Sequence, residues 1–197
     1  MTARLSPEDL SFVPVDQAEG VACQAFEVVR QSPMYNDAYD RLERWLTEGV
    51  GLGAHKSLRI RTTVALLGGE IVGYIATHAH EIHPDRLDRA RFERPFSALK
   101  VLHLATNRPY QGRGVGEILL LAFGIGSAAL LTRTTGCRFV FLDALKPAVG
   151  FYERLAFEIV PTGKPNAIWA PMIFDLKKAG SATLDSYREI AGQLLTT

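Results

Sequence analysis

The run ATNRPYQGRGVGEILL, residues 105–120, places three glycines at alternate positions, Gly112, Gly114 and Gly116, immediately before an apolar stretch with helical spacing. Glycine weakens a helix, so three of them at a helix start need a reason. A strand leading into a glycine-rich turn and then a helix leaves the first helical amides without internal partners, pointing outward. Small residues let an anion reach those amides, and the peptide dipoles favour it there. Arg113 and Arg108 offer direct charge for a phosphate. Taken alone, the turn is equally consistent with a plain tight reversal of the chain.

The phosphate chemistry can be narrowed by exclusion. QGRGVGEI lacks the Lys-Ser/Thr pair of a nucleoside-triphosphate loop. It also misses the dinucleotide G-x-G-x-x-G spacing, because the third glycine falls at 116 rather than 117.

The elements that must hold this turn follow from periodicity. Residues 16–30 read as a helix with Asp16 as N-cap, and DAYDRLERWLTEG reads as a second helix ended by Gly49. Leu58–Leu67 and Ile71–Ile82 read as two strands of a hairpin turning at Gly68-Gly69. Leu99–Thr106 reads as a buried central strand, and Val115–Thr132 as the helix after the turn. CRFVFLDA, EIVP and AIWAPMIFDL supply further strands, with AVGFYERLAF a short helix between the first two. TLDSYREIAGQLL is an amphipathic C-terminal helix that needs a surface to cover. Helices, then antiparallel strands, then β-α-β-α-β predict an α/β (α+β) fold: a mixed, mostly antiparallel central sheet flanked by helices. The expected division is a domain over 1–180 and an appended helix over 181–197.

Composition sets the outer limits. The chain has 197 residues, 47% of them hydrophobic, enough for one sizeable core. Lys plus Arg is 22 against 21 for Asp plus Glu, without the basic excess of a dedicated nucleic-acid binder. Cys23 and Cys137 stand far apart, so neither a disulfide framework nor a thiolate metal site is indicated. ILLLAFGIGSAALL is short for a membrane span, and the N-terminus lacks a signal-peptide core; the expected location is the cytoplasm. His78, His80 and His83 make an incomplete ligand set, read as strand-end histidines rather than a metal site. Arg86, Arg89, Arg91 and Arg94 alternate with acids and read as a solvated face, with a tRNA-contacting edge as the alternative.

Two signatures then resemble a known family. LATNRPYQGRGVGEILL is similar to the Gln/Arg-x-x-Gly-x-Gly/Ala motif of the GNAT superfamily of N-acetyltransferases, with Gln111, Gly114 and Gly116 on its fixed positions. AVGFYERLAFEIV resembles the second motif, Ala-x-x-Phe-Tyr-x-x-x-Gly-Phe: Ala148, Phe151, Tyr152 and Phe157 match, and Ala156 stands where glycine is usual. With YDRLERWL and GGEIVGYIA, the pattern further resembles the GNAT toxins of bacterial toxin–antitoxin pairs. It departs from them at Leu104-Ala105-Thr106-Asn107, where that subgroup has Leu-Ala-Val-Asp.

The resemblance implies the GNAT fold and acetyl-CoA as co-substrate, with no metal. It implies that Gly112, Arg113, Gly114, Val115, Gly116 and Glu117, with Gln111, hold the coenzyme diphosphate, and that Leu104, Ala105 and Thr106 bond the pantetheine arm. Tyr152 would protonate the departing thiolate after direct attack by a primary amine. The acceptor would be a small molecule, a peptide or, in the toxin subgroup, aminoacyl-tRNA; an antitoxin partner and a homodimer are the associated expectations. A CoA-binding module without catalysis is the rival class. No general base is named: alternation puts His103 on the face opposite Leu102 and Leu104 as a core histidine, Glu70 reads as solvated, and Trp45 and Tyr39 read as core that borders the acceptor site.

Overall fold

The computed structural model describes residues 3–18, 26–83, 95–161 and 167–195. The strands are β1 (Ser11–Pro14), β2 (Arg61–Leu67), β3 (Glu70–Ile82), β4 (Phe96–Thr106), β5 (Phe139–Leu145), β6 (Glu158–Ile159) and β7 (Trp169–Asp175). They form one sheet in the order β1-β2-β3-β4-β5-β7-β6. Among the described residues only β4 and β5 run parallel, and the other pairs are antiparallel. The hairpin turns at Gly68-Gly69, both with positive φ, as the two-residue turn requires.

The helices are α1 (Asn36–Thr47), α2 (Val50–Lys56), α3 (Val115–Leu119), α4 (Ser127–Leu131), α5 (Val149–Glu153) and α6 (Ser181–Leu195), with a π-helical stretch, Leu120–Gly126, joining α3 to α4. α1 and α2 cover one face of the sheet, around buried Tyr74, Val64 and Ala76. The α3-π-α4 run covers the other, against Ile75, Val101 and Leu142. α6 lies across the π stretch: a Cβ on Gly126 would stand 2.7 Å from the Ala191 Cβ, and Ala191 is fully buried. Arg188 fastens it by donating to the Ala129 carbonyl at 3.1 Å. The apolar side that TLDSYREIAGQLL offers is therefore covered from within the chain.

Several expectations are corrected. The helix expected over 16–30 is not formed where it is described: Val15–Ala18 is one 3-10 turn containing Asp16, residues 26–30 are irregular, and 19–25 lie outside the described residues. Side chains and strand ends far along the chain claim those backbone groups. Glu27 N–H donates to Asn107 Oδ1 and Val28 N–H to Glu43 Oε1, while the Glu27 carbonyl accepts from Arg108 N–H. α2 was unexpected because Gly51 and Gly53 argue against a helix; Gly51 is required there, since a Cβ would fall 2.4 Å from Trp45 Nε1. The short edge strand β1 was also unexpected, and β2 starts at Arg61 rather than Leu58, which turns with φ +57°. The helix expected over 115–132 is continuous in path but changes winding across Leu120–Gly126.

Candidate active site

β4 and β5 share ladder bonds only from Ala98↔Phe139 to Val101↔Leu142. Beyond that point they diverge, so His103–Thr106 keep β3 on one side and, among the described residues, have no strand on the other. The divergence coincides with a bulge. Ala76 pairs with His103 and Thr77 with Val101, leaving Leu102 as the extra residue on β4. A bulge bends its strand and shifts the alternation of its side chains. Leu102 and His103 therefore both reach the α1 face, while Leu104 reaches the α3 face. Simple alternation had put His103 opposite Leu102.

The gap opens into a cavity of about 850 Å³. One end is the glycine turn. Gly112 and Gly114 take φ +75° and +92°, a left-handed backbone that favours glycine. Their conformation turns the chain so that the N–H groups of Gly112, Gly114, Val115, Gly116 and Glu117 have no hydrogen-bond partner among the described residues; the first N–H to close a helical bond is that of Ile118, onto the Gly114 carbonyl. Gln111, Gly112, Gly114, Val115, Gly116 and Glu117 all line the cavity, as do Leu104, Ala105 and Thr106. Arg113 does not. Its N–H bonds the Tyr110 carbonyl, and its guanidinium lies over the Tyr110 ring and donates to the Ala3 carbonyl at 3.2 Å. Arg4, in an N-terminal segment that carried no site signal in the sequence, takes its place at the turn and pairs with Glu117 at 2.7 Å.

Tyr152 lines the cavity from α5, held between Phe151 and Phe157 with ring centroids 5.0 and 5.7 Å away. Burial raises its phenol pKa, so it stays protonated at neutral pH. The backbone after it folds back, Phe157 N–H onto the Tyr152 carbonyl, through Ala156 at φ +63°. This is the position where the family motif has glycine, and the left-handed backbone is the reason.

The opposite end is assembled from distant segments. Tyr39, Arg41 and Leu42 come from α1, His103 from β4, Asp143 from β5 and Trp169 from β7. Arg41 lies over the Trp169 ring at 5.7 Å. His103 contacts the Trp45 ring at 4.6 Å, and burial, aided by the Arg41 charge, lowers its pKa to about 4. Lys100 donates to Asp143 at 2.8 Å where the two strands part. Asn107, one of two positions at which the chain departs from the toxin motif, secures the end of β4 before the glycine turn, donating to the Ile71 carbonyl and accepting from Glu27 N–H. Arg41, Trp169 and Asp143 carried no sequence signal, because no fixed spacing links α1, β5 and β7. Glu70 is exposed, as expected, and accepts from the Tyr110 hydroxyl at 2.7 Å.

His78 and His80 stand 5.8 Å apart, with His80 stacked on Phe141. Among the described residues no group of three His, Cys, Asp or Glu could hold a metal ion, and no helix is long and apolar enough to cross a membrane. Arg86, Arg89, Arg91, Arg94 and Cys23 lie outside the described residues.

A family model for the acetyltransferase (GNAT) domain matches residues 59–159, from the lead-in to β2 through β6. A tRNA-acetylating toxin from Mycobacterium tuberculosis is 34% identical over 107 residues. That match takes in 52% of this chain and 63% of the relative, so the chain spans less than two thirds of the length of the curated protein it matches. Among solved structures, AtaT complexed with acetyl-methionyl-tRNAfMet superposes with a TM-score of 0.69 at 18% identity, covering 96% of this chain and 100% of the other. AtaTR bound with acetyl-CoA gives 0.64 at 20% identity, covering 96% and 99%. At such identities the likeness is one of fold.

Proposed function

Since the chain belongs to the acetyltransferase (GNAT) domain family, we propose that it transfers an acetyl group from acetyl-CoA to a primary amine, with Tyr152 as the general acid. The observation that carries the reading is the set of amides at Gly112, Gly114, Val115, Gly116 and Glu117, unpartnered among the described residues and opening onto the gap between β4 and β5 with Tyr152 on the same cavity.

The coenzyme diphosphate accepts from those amides. The pantetheine arm lies along Leu104–Thr106, adding itself where β5 has withdrawn. The free edge of β4 offers an N–H to the thioester carbonyl, which gains negative charge as the amine attacks. The amine nitrogen forms a bond to the acetyl carbon, the carbon–sulfur bond breaks, and the thiolate takes the Tyr152 hydroxyl proton. The proton lost by the amine leaves to water at the open mouth, and Tyr152 is reprotonated from solvent. Much of the rate then derives from holding two substrates in line. Burial raises the phenol pKa and so keeps the proton on Tyr152 across the working pH range, leaving the acid in its donating form when the thiolate departs.

The narrower reading takes the amine as the amino group of aminoacyl-tRNA and an antitoxin as the protein partner. The tRNA-acetylating relative supports it. The rival, a CoA-binding module without catalysis, is disfavoured by a buried Tyr152 facing the cavity.

Thiol release from acetyl-CoA, measured with small amines, peptides and charged tRNA, tests both levels. Tyr152→Phe should lower kcat roughly 100- to 1,000-fold, the range of a general acid, and leave acetyl-CoA binding intact. Activity on amines but not on charged tRNA would remove the narrower reading alone. CoA binding without turnover on any of these acceptors would favour the module.

A further inference from the structure

The N-terminal arm is stitched to the glycine turn. Leu5 N–H donates to the Arg113 carbonyl at 2.8 Å, and Arg113 Nε donates back to the Ala3 carbonyl at 3.2 Å. The Leu5 side chain packs on the main core, and Leu10 and Phe12 are buried farther along, with Phe12 against Phe123 at 5.2 Å. Arg4 is thereby held over the turn. Its Nε and Cγ stand 3.2 and 3.3 Å from where a Cβ on Gly114 would be, its guanidinium reaches Glu117 at 2.7 Å, and it lines the cavity. Arg113 and Arg108, the cations adjacent in sequence, do not line the cavity; Arg108 pairs with Glu27 at 3.6 Å.

We infer that Arg4 is the cation that clamps the coenzyme diphosphate, closing the N-terminal arm over the site. This rests on the proposed use of acetyl-CoA. The chemistry fits on three counts. A guanidinium fork matches a diphosphate, which carries two adjacent negative phosphoryl groups. The Arg4–Glu117 pair is partly exposed, so exchanging or sharing that partner costs little. Glu117 also needs an answer, because its carboxylate lies beside the amides that a diphosphate would occupy. Arg4 neutralises it, removing a repulsion as well as adding an attraction.

Calorimetry with CoA tests this without knowledge of the acceptor. Arg4→Gln should weaken the Kd about tenfold at low salt, the loss of one charge-assisted contact, and the difference should shrink as salt rises. Arg4→Lys should fall between the two. Adding Glu117→Gln to Arg4→Gln should recover part of the loss, since the exposed carboxylate is then gone. 3′-Dephospho-CoA should show the same tenfold difference, whereas pantetheine, which lacks the diphosphate, should bind wild type and Arg4→Gln alike.

Equal CoA affinity for wild type and Arg4→Gln would overturn the assignment. So would a difference that vanishes with 3′-dephospho-CoA, because Arg4 would then serve the 3′-phosphate. CoA binding to wild type in either case leaves the coenzyme reading standing, while its absence from wild type would defeat that reading itself.

Discussion

At the glycine turn the cavity wall is nearly one continuous stretch of chain: the free edge of β4, the turn and the first residues of α3, residues 104–117, met by α5. At the other end Tyr39, Arg41, His103, Asp143 and Trp169 converge from α1, β4, β5 and β7. The first end is backbone chemistry, in which amides are aimed by φ angles that only a few residues tolerate. The second is side-chain chemistry, in which rings and charges are held by packing across the sheet. A contiguous, backbone-built end is hard to alter without losing function. A converging end can change its ligand one side chain at a time. The proposed function assigns the reaction type to the first end and the choice of acceptor to the second.

Breaking the backbone end should have the larger effect. Gly114→Val demands a left-handed valine at φ +92° and pushes into Arg4, so the amides should lose their aim; acetyl-CoA affinity should fall roughly 100-fold, from strain of a few kcal/mol, with the acceptor KM little changed. Calorimetry and initial rates check it, and unaltered coenzyme affinity would deny the turn its role.

The second effect concerns His103. Its pKa is about 4 in the folded chain against 6.5 ordinarily, so on acidification through that window the unfolded chain binds a proton that the folded chain refuses. Stability should decline from pH 6.5 to 4 by up to on the order of 2–3 kcal/mol on this account, and His103→Gln should flatten that slope. Denaturant midpoints across this range read it directly.

Smaller again, Trp169→Ala removes the platform under Arg41, a cation–π contact worth about 1 kcal/mol, and should raise the acceptor KM about fivefold while leaving that for acetyl-CoA unmoved. A matching rise in both constants would erase the division between the two ends. The smallest effect is a gain. Ala156→Gly relieves a left-handed alanine at φ +63° and should stabilise the fold by about 1 kcal/mol, visible as a rise of a few degrees in Tm without change in kcat.

Legibility in the sequence followed the same division. β3, β4, the turn, the helix start and the Phe151-Tyr152 pair were readable, because each rests on periodicity or on residues a few positions apart. The 16–30 helix failed because Asn107 and Glu43, distant in sequence, bond residues 27 and 28 and outcompete a local helix. α2 was hidden by its glycines, one of which exists to admit Trp45. His103 was placed on the wrong side of Leu102 because nothing in LKVLHLAT marks the bulge.

What the amino-acid sequence determined by itself was the sheet-and-helix pattern, the left-handed glycine turn and the two motifs that define the family, since helical and strand periods, positive φ and short motifs are properties of neighbouring residues. Only the tertiary structure decided that β4 and β5 part after Val101, that Arg4 rather than Arg113 reaches the turn, and that Arg41 meets Trp169. Each of these depends on which distant segments a closed core brings within a few ångströms, and a linear pattern carries no record of that distance.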